Sequence, residues 1–209
     1  MEILINSFVV LFVVIDPIGV ALIFYTLTHN ADVQQQRKTA LRGVALATVM
    51  LLVFFLIGDV LLRQLGISIP AMRIAGGALL FLLAIDMILA RQSGLRSTTR
   101  REQHEAELKE DVSVFPLAFP LIAGPGALTT VLLMASSSPS AIVFVGMIVV
   151  LLVVLATTLL SLLFASNMMR ILGETGTNVI SRLLGLILAA LAVQYVIDGI
   201  KASFFAQAV

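Results

Sequence analysis

F-P-L-I-A-G-P-G-A-L-T-T, from Phe119 to Thr130, places two prolines and two glycines inside an otherwise continuous apolar run. Pro125 has no N–H and its ring collides with the carbonyl one turn back, while Gly124 and Gly126 leave the neighbouring backbone unshielded. A helix is interrupted here, and the bared backbone can meet a ligand. The rest of the chain says what kind of helix is broken. Of 209 residues, 60% are hydrophobic and 12% charged, and the mean hydropathy is +1.11. A soluble domain of this size cannot hide so much apolar surface, whereas several runs approach the roughly 20 residues that carry a helix across about 30 Å of hydrocarbon. The sequence therefore reads as an all-α integral membrane protein, a single transmembrane domain over residues 1–209. The start, Met1-Glu2-Ile3, lacks the basic segment of a cleavable signal, so the first apolar run is expected to stay in the protein.

Six spans are predicted. Span 1, about Ile3 to Leu27, carries Asp16-Pro17-Ile18-Gly19 near its middle. Spans 2 and 3 run from about Leu41 to Leu62 and Ala71 to Ala90. Arg91 to Asp111 holds five Lys/Arg and five Asp/Glu, the composition of a solvated loop. Span 4, about Val112 to Met134, contains the opening stretch; a tight turn, Ser136 to Ser140, leads to span 5, about Ala141 to Ala165. A link from Asn167 to Asn178 leads to span 6, about Val179 to Ile200. Thr157, Thr158 and Ser161 in span 5 read as hydroxyls bonded back to their own helix.

The chain also repeats itself. R-Q-L-G at Arg63 to Gly66 returns as R-I-L-G at Arg170 to Gly173, R-I-A-G at Arg73 to Gly76 returns as R-L-L-G at Arg182 to Gly185, and Pro17 returns as Pro125. The spacings are 107, 109 and 108 residues. Two three-span repeats follow, about 1–90 and 112–209, joined by a loop of about 91–111. Because three is odd, the second copy enters the membrane from the opposite side, an inverted repeat of the kind many secondary transporters use. Ten of the thirteen Lys/Arg fall on one side of this topology and three, Arg63, Arg73 and Lys201, on the other. The side with ten is predicted to be cytoplasmic, which puts both termini in the periplasm.

Each break is also a helix start. Asp16 is a good N-cap with Pro17 at the first helical position, and Gly124 is a tolerable one with Pro125 following. A helix N-terminus carries unpaired N–H groups and about half a positive charge, so two half-helices starting at mid-depth, facing each other across the pseudo-twofold axis, suit a carboxylate. A carboxylate at that depth, Asp16, is costly unless it serves a ligand, a cation or a cap. The candidate binding residues are Asp16, Pro17, Gly19, Gly124, Pro125, Gly126, Thr129 and Thr130. Small residues at the second break predict a small, polar cavity. The alternative reading is a pair of proline kinks satisfied by neighbouring helices, with Thr129 and Thr130 bonded to their own carbonyls. Arg73 and Arg182 sit at span ends, where snorkelling to the interface is the plain reading.

Other chemistries lack their usual residues. There is no Cys, His29 and His104 fall in loops, and no zinc spacing, P-loop, G-x-S-x-G or H-E-x-x-H occurs, so neither a metal site nor an enzyme is predicted. A net charge of +1 without a clustered basic face argues against nucleic acid.

With these residues in view, the sequence resembles the MarC family, also called UPF0056 or NAAT. The resemblance covers the whole chain and rests on D-P-I-G (Asp16 to Gly19), G-I-S-I-P-A-M-R-I-A-G-G (Gly66 to Gly77), A-G-P-G-A-L-T-T (Ala123 to Thr130) and I-S-R-L-L-G (Ile180 to Gly185). It implies a six-span bacterial inner-membrane protein related to LysE-type exporters, a family some of whose members are linked to transport of small neutral amino acids such as glycine and alanine. One departure is that Val20 and Leu22 stand where the family often has Asn and Pro. The expected function is a secondary transporter of glycine, alanine or serine. No cofactor is expected beyond a coupling proton or sodium ion, and the lipid bilayer is the only macroscopic partner, with the number of protomers left open. The alternative is a non-transporting multi-pass membrane protein, a channel or assembly partner.

Overall fold

Asp16 ends one helix and starts the next. Its N–H donates to the Phe12 carbonyl at 2.9 Å, closing α1 (Glu2–Ile15), and its own carbonyl accepts from the Val20 N–H at 3.0 Å, opening α2 (Pro17–Thr28). One residue in the left-handed region, φ 50°, separates the two. The computed structural model describes residues 2–89, 112–136 and 140–205, and every regular element among them is helical. The predicted loop of 91–111 and most of the turn before span 5 lie outside these residues.

After α2 the chain turns through Asp32, whose carboxylate caps the Gln35 N–H at 2.6 Å, while the Gln36 amide donates back to the Thr28 carbonyl at 2.8 Å. α3 (Val33–Gln64) is longer than the predicted span because its polar first turns carry on from the turn. It stops at Leu65 and Gly66. The Gly66 N–H reaches Arg63 O at 3.1 Å and the Ile67 N–H reaches Leu62 O at 2.9 Å, a closure that needs the positive φ of 68° at Gly66. α4 (Ile69–Leu89) follows.

Span 4 departs from the prediction. The segment expected to be a half-helix before Gly124 is α5 (Ser113–Ile122), made of wide turns in which Leu117 N–H bonds Val112 O and Ala123 N–H bonds Ala118 O. Phe115 and Phe119 are extended, at φ −132° and −133°. The cause is local: V-F-P-L-A-F-P holds Pro116 as well as Pro120, and a residue before proline is pushed out of the helical region. α5 is bent by 57° from α6 (Pro125–Ser136). Non-helical backbone is tolerable at membrane depth when protein covers it, and α5 packs on α3 and α2 with Pro116, Leu117, Ala118, Leu121 and Ile122 buried.

α7 (Ala141–Leu163) is capped by Ser140, and α8 (Ala165–Phe205) runs through the region expected to be a link. α8 bends at Gly173, φ 64°. Thr157 and Thr158 do bond back to Val153 and Val154, both at 2.9 Å. Five segments are long and apolar enough to cross a membrane, counting α1 with α2, and α5 with α6 makes a sixth, broken one. Their outward faces carry Val, Leu, Ile and Phe, as lipid requires. α1 and α2 lie against α7 and α8, while α5 and α6 lie against α3 and α4. The most extensive contact joins α4 to α8, where glycines let the helices approach closely: a Cβ at Gly77 would sit 2.7 Å from Ala192 O, and one at Gly185 would sit 2.8 Å from Met87 Cβ.

Candidate functional site

Asp16 is 1% exposed. Its carboxylate accepts the Gly19 N–H at 3.1 Å and the Ser181 hydroxyl, on α8, at 3.3 Å. Gly19 must be glycine, since a Cβ there would strike the Asp16 carboxylate and lie 3.2 Å from Ser181 Oγ. Together these contacts change what the first break can bind. Pro17 has no N–H and the Gly19 N–H is already taken by the chain's own carboxylate, so the positive end of α2 is largely neutralised. This end suits a cation at Asp16 better than an anion.

The second break lacks that internal counter-charge. Gly124 has no side chain to cap α6, and it is small for a steric reason: the Pro120 carbonyl occupies the place of a Cβ. Gly124, Pro125, Gly126 and Ala127 border a small cavity of about 20 Å³, enough for about one water. The lining side chains are apolar, Val14, Leu83 and Ile122 among them, so the polar part of the predicted small, polar cavity comes from backbone. Val14 links the breaks: its Cγ1 lies 3.5 Å from where a Cβ at Gly126 would be, two residues before Asp16. The first turn of α6 and the start of the α1–α2 break thus share one small space.

The two threonines are engaged elsewhere. Thr130 donates to Gly126 O at 2.8 Å, and the Thr129 methyl packs where a Cβ at Gly76 of α4 would be. Among the described residues no His/Cys/Asp/Glu cluster suits a metal ion. Sequence reasoning missed Ser181. The one available signal was that the repeat places a polar residue there and Met72 at the matching position of the first half.

These features define a multi-pass integral membrane protein with a broken, internally capped span and a second break at a small cavity. The family model for MarC family integral membrane proteins matches residues 1–204, and the chain belongs to this family. Among its relatives is the UPF0056 membrane protein YhcE of Escherichia coli K12, 32% identical over 94% of this chain and 91% of the relative. YvbG of Bacillus subtilis is 33% identical over 96% and 95%, and MJ1677 of Methanocaldococcus jannaschii is 34% identical over 93% and 94%. No solved structure matches the chain.

Proposed function

We propose that the protein is a secondary transporter of small neutral amino acids, glycine, alanine and serine, and not an enzyme. One observation carries the reading: two helices start inside spans and meet through Val14, one start holding a buried carboxylate and the other presenting uncapped amides to a cavity. The substrate carboxylate goes to the α6 amides and its ammonium to Asp16. No further charge is left for a charged side chain. Coupling to a proton or sodium ion would also use Asp16.

The inverted repeat belongs to this reading. It is supported by the exchange of partners, with α2 on α7 and α8 where α6 is on α3 and α4. It is also supported by the two R-x-L-G motifs, whose glycines have φ of 68° and 64°. The proposed setting is a bacterial inner membrane with both termini periplasmic, on the Lys/Arg asymmetry. A second reading, a non-transporting membrane protein whose breaks only shape packing, is favoured by the apolar lining side chains and the volume of about 20 Å³.

Uptake by the purified protein in liposomes under proton or sodium gradients separates the two. Glycine and alanine are expected to enter, and lysine and glutamate to stay out. A transported ligand at about 100 times its Kd should also stabilise the protein by about 2.7 kcal/mol. Absence of gradient-driven uptake for every amino acid would leave the second reading standing.

A further inference from the structure

α8 carries polar side chains where it faces outward. Its membrane-crossing part begins at Thr175, and from there Thr175, Asn178 and Arg182 recur at the three- and four-residue spacing that puts them on one face, all three exposed. Among the described residues no hydrogen bond or ion pair engages any of them. The exposed Thr157 of α7, by contrast, bonds back to Val153. Val179 and Leu183 beside Arg182 are exposed and apolar, so the guanidinium stands among lipid-facing residues. Leu186 and Val193, also exposed, continue the same face toward the middle of the span. One line along α8 thus changes from polar to apolar on going inward.

The packing of α4 on α8 fixes the level of that change. The two run antiparallel: a Cβ at Gly199 would lie 3.0 Å from Pro70 O, and one at Gly185 would lie 3.2 Å from Ala84 O and 2.8 Å from Met87 Cβ. Arg182, about one turn nearer the start of α8 than Gly185, is therefore level with the end of α4 at Leu89. Sequence alone places Arg182 at a span end, snorkelling; the fold keeps it near that end and adds two unpaired donors along its route. Side chains of a helix lean toward its N-terminus, so Arg182 extends past Asn178 toward Thr175. From Arg182 inward to Val193 is about 16 Å of helix, close to one hydrocarbon leaflet, half of roughly 30 Å.

We infer that this line is the seat of an anionic phospholipid, its phosphate held by Arg182 with Asn178 and Thr175 and its acyl chain laid along Leu186 and Val193. The guanidinium fork matches two phosphate oxygens, while the amide and hydroxyl donate to the rest of the headgroup. A zwitterionic headgroup brings its own cation to the phosphate and answers Arg182 less fully. A second copy of the chain is the poorer occupant, because a twofold contact about the membrane normal through this face would set Arg182 against Arg182. α8 begins at the Lys/Arg-rich end of the bundle, where Arg37, Lys38 and Arg170 are exposed as well, and such an end attracts an anionic leaflet. The site does not depend on the transport reading.

The full chain, purified and stripped of lipid in an uncharged detergent, is titrated with phosphatidylglycerol, phosphatidylcholine, diacylglycerol or inorganic phosphate. Binding is read by native mass spectrometry and by the thermal midpoint. Phosphatidylglycerol is expected to bind more tightly than phosphatidylcholine and to raise the midpoint, and diacylglycerol and inorganic phosphate to do neither. Arg182→Gln is expected to weaken phosphatidylglycerol binding about tenfold or more, the loss of one charge-assisted pair. Its lipid-free midpoint should match the parent's, since the side chain is exposed. Arg182→Lys keeps the charge without the fork and should fall between the two. Arg170→Gln removes an exposed cation outside the line and is expected to bind lipid as the parent does. Equal losses in Arg170→Gln and Arg182→Gln would mean a diffuse basic surface and overturn the site. Equal binding of the two phospholipids, displacement of lipid by inorganic phosphate, or a lipid-free dimer that Arg182→Gln splits would overturn it too.

Discussion

Asp16 does three jobs at one position, and they can be taken apart. Its backbone sits at φ 50°, which costs a residue with a Cβ about 1–2 kcal/mol unless a short polar side chain bonds locally, as this one does to Gly19. It caps α2, and it reaches Ser181 across the bundle. Asn tolerates the same backbone, can accept from Gly19 and can donate to Ser181, so Asp16→Asn should fold with a midpoint close to the parent in detergent. It should nevertheless abolish uptake, because the charge for an ammonium or coupling cation is gone. Asp16→Ala loses the one bond that both caps α2 and offsets the left-handed backbone, and should be about 1–2 kcal/mol less stable. Normal uptake by the Asn variant would reduce Asp16 to a cap.

Among the helices, glycine serves two different ends. At Gly66 and Gly173 nothing lies within 4 Å of the place a Cβ would take, so the demand is conformational, one turn-forming residue at each R-x-L-G. At Gly77 the demand is space, with the Ala192 carbonyl and Val196 each 2.7 Å away. Gly77→Ala must push α4 from α8 and should cost about 1–3 kcal/mol, the range for overpacking. A Cβ at Gly126 meets only the ends of Leu80 and Leu83, at 3.1 and 3.2 Å, and of Val14 at 3.5 Å, so Gly126→Ala should lose less. Thermal unfolding of the two alanine variants checks the order. Gly126→Val goes further, filling the cavity and shielding the first-turn amides of α6. A carboxylate left unpaired there costs a few kcal/mol, enough to weaken alanine binding by roughly a hundredfold. Calorimetry on the valine variant decides it: alanine bound as tightly as by the parent would place the anion elsewhere.

At the scale of the whole molecule, α3 fixes the two sides of the membrane. Its 32 residues span about 48 Å, more than the roughly 30 Å of hydrocarbon, and its excess is the polar start from Gln34 to Lys38. If the Lys/Arg side is cytoplasmic, Gln34 and Ser68, both exposed and near opposite ends of α3, face opposite compartments. Single cysteines at the two positions, in intact cells treated with an impermeant maleimide, should react at Ser68 and not at Gln34. The opposite pattern would invert the protein in the membrane.

Hydropathy, proline and glycine act within a few residues, and what they govern is legible from the residues alone: the membrane class, the break at Asp16-Pro17, the helix start at Pro125 and the paired R-x-L-G turns. The Phe-Pro repeat of α5 obeys the same local rule, through Pro116, and its wide turns needed that second proline to be weighed with Pro120. Partnership across the bundle is not legible in this way. Ser181 meets Asp16 from 165 residues away, Val14 closes on Gly126, and Arg73 shares a cavity with Asp198. In water, the polar face of a helix announces which side is exposed; in a bilayer the lipid-facing and core-facing sides are both apolar, so rotation and neighbour choice are set by close packing of small residues such as Gly77 and Gly185. Only the folded bundle decides that, and with it which charged groups end in one cavity.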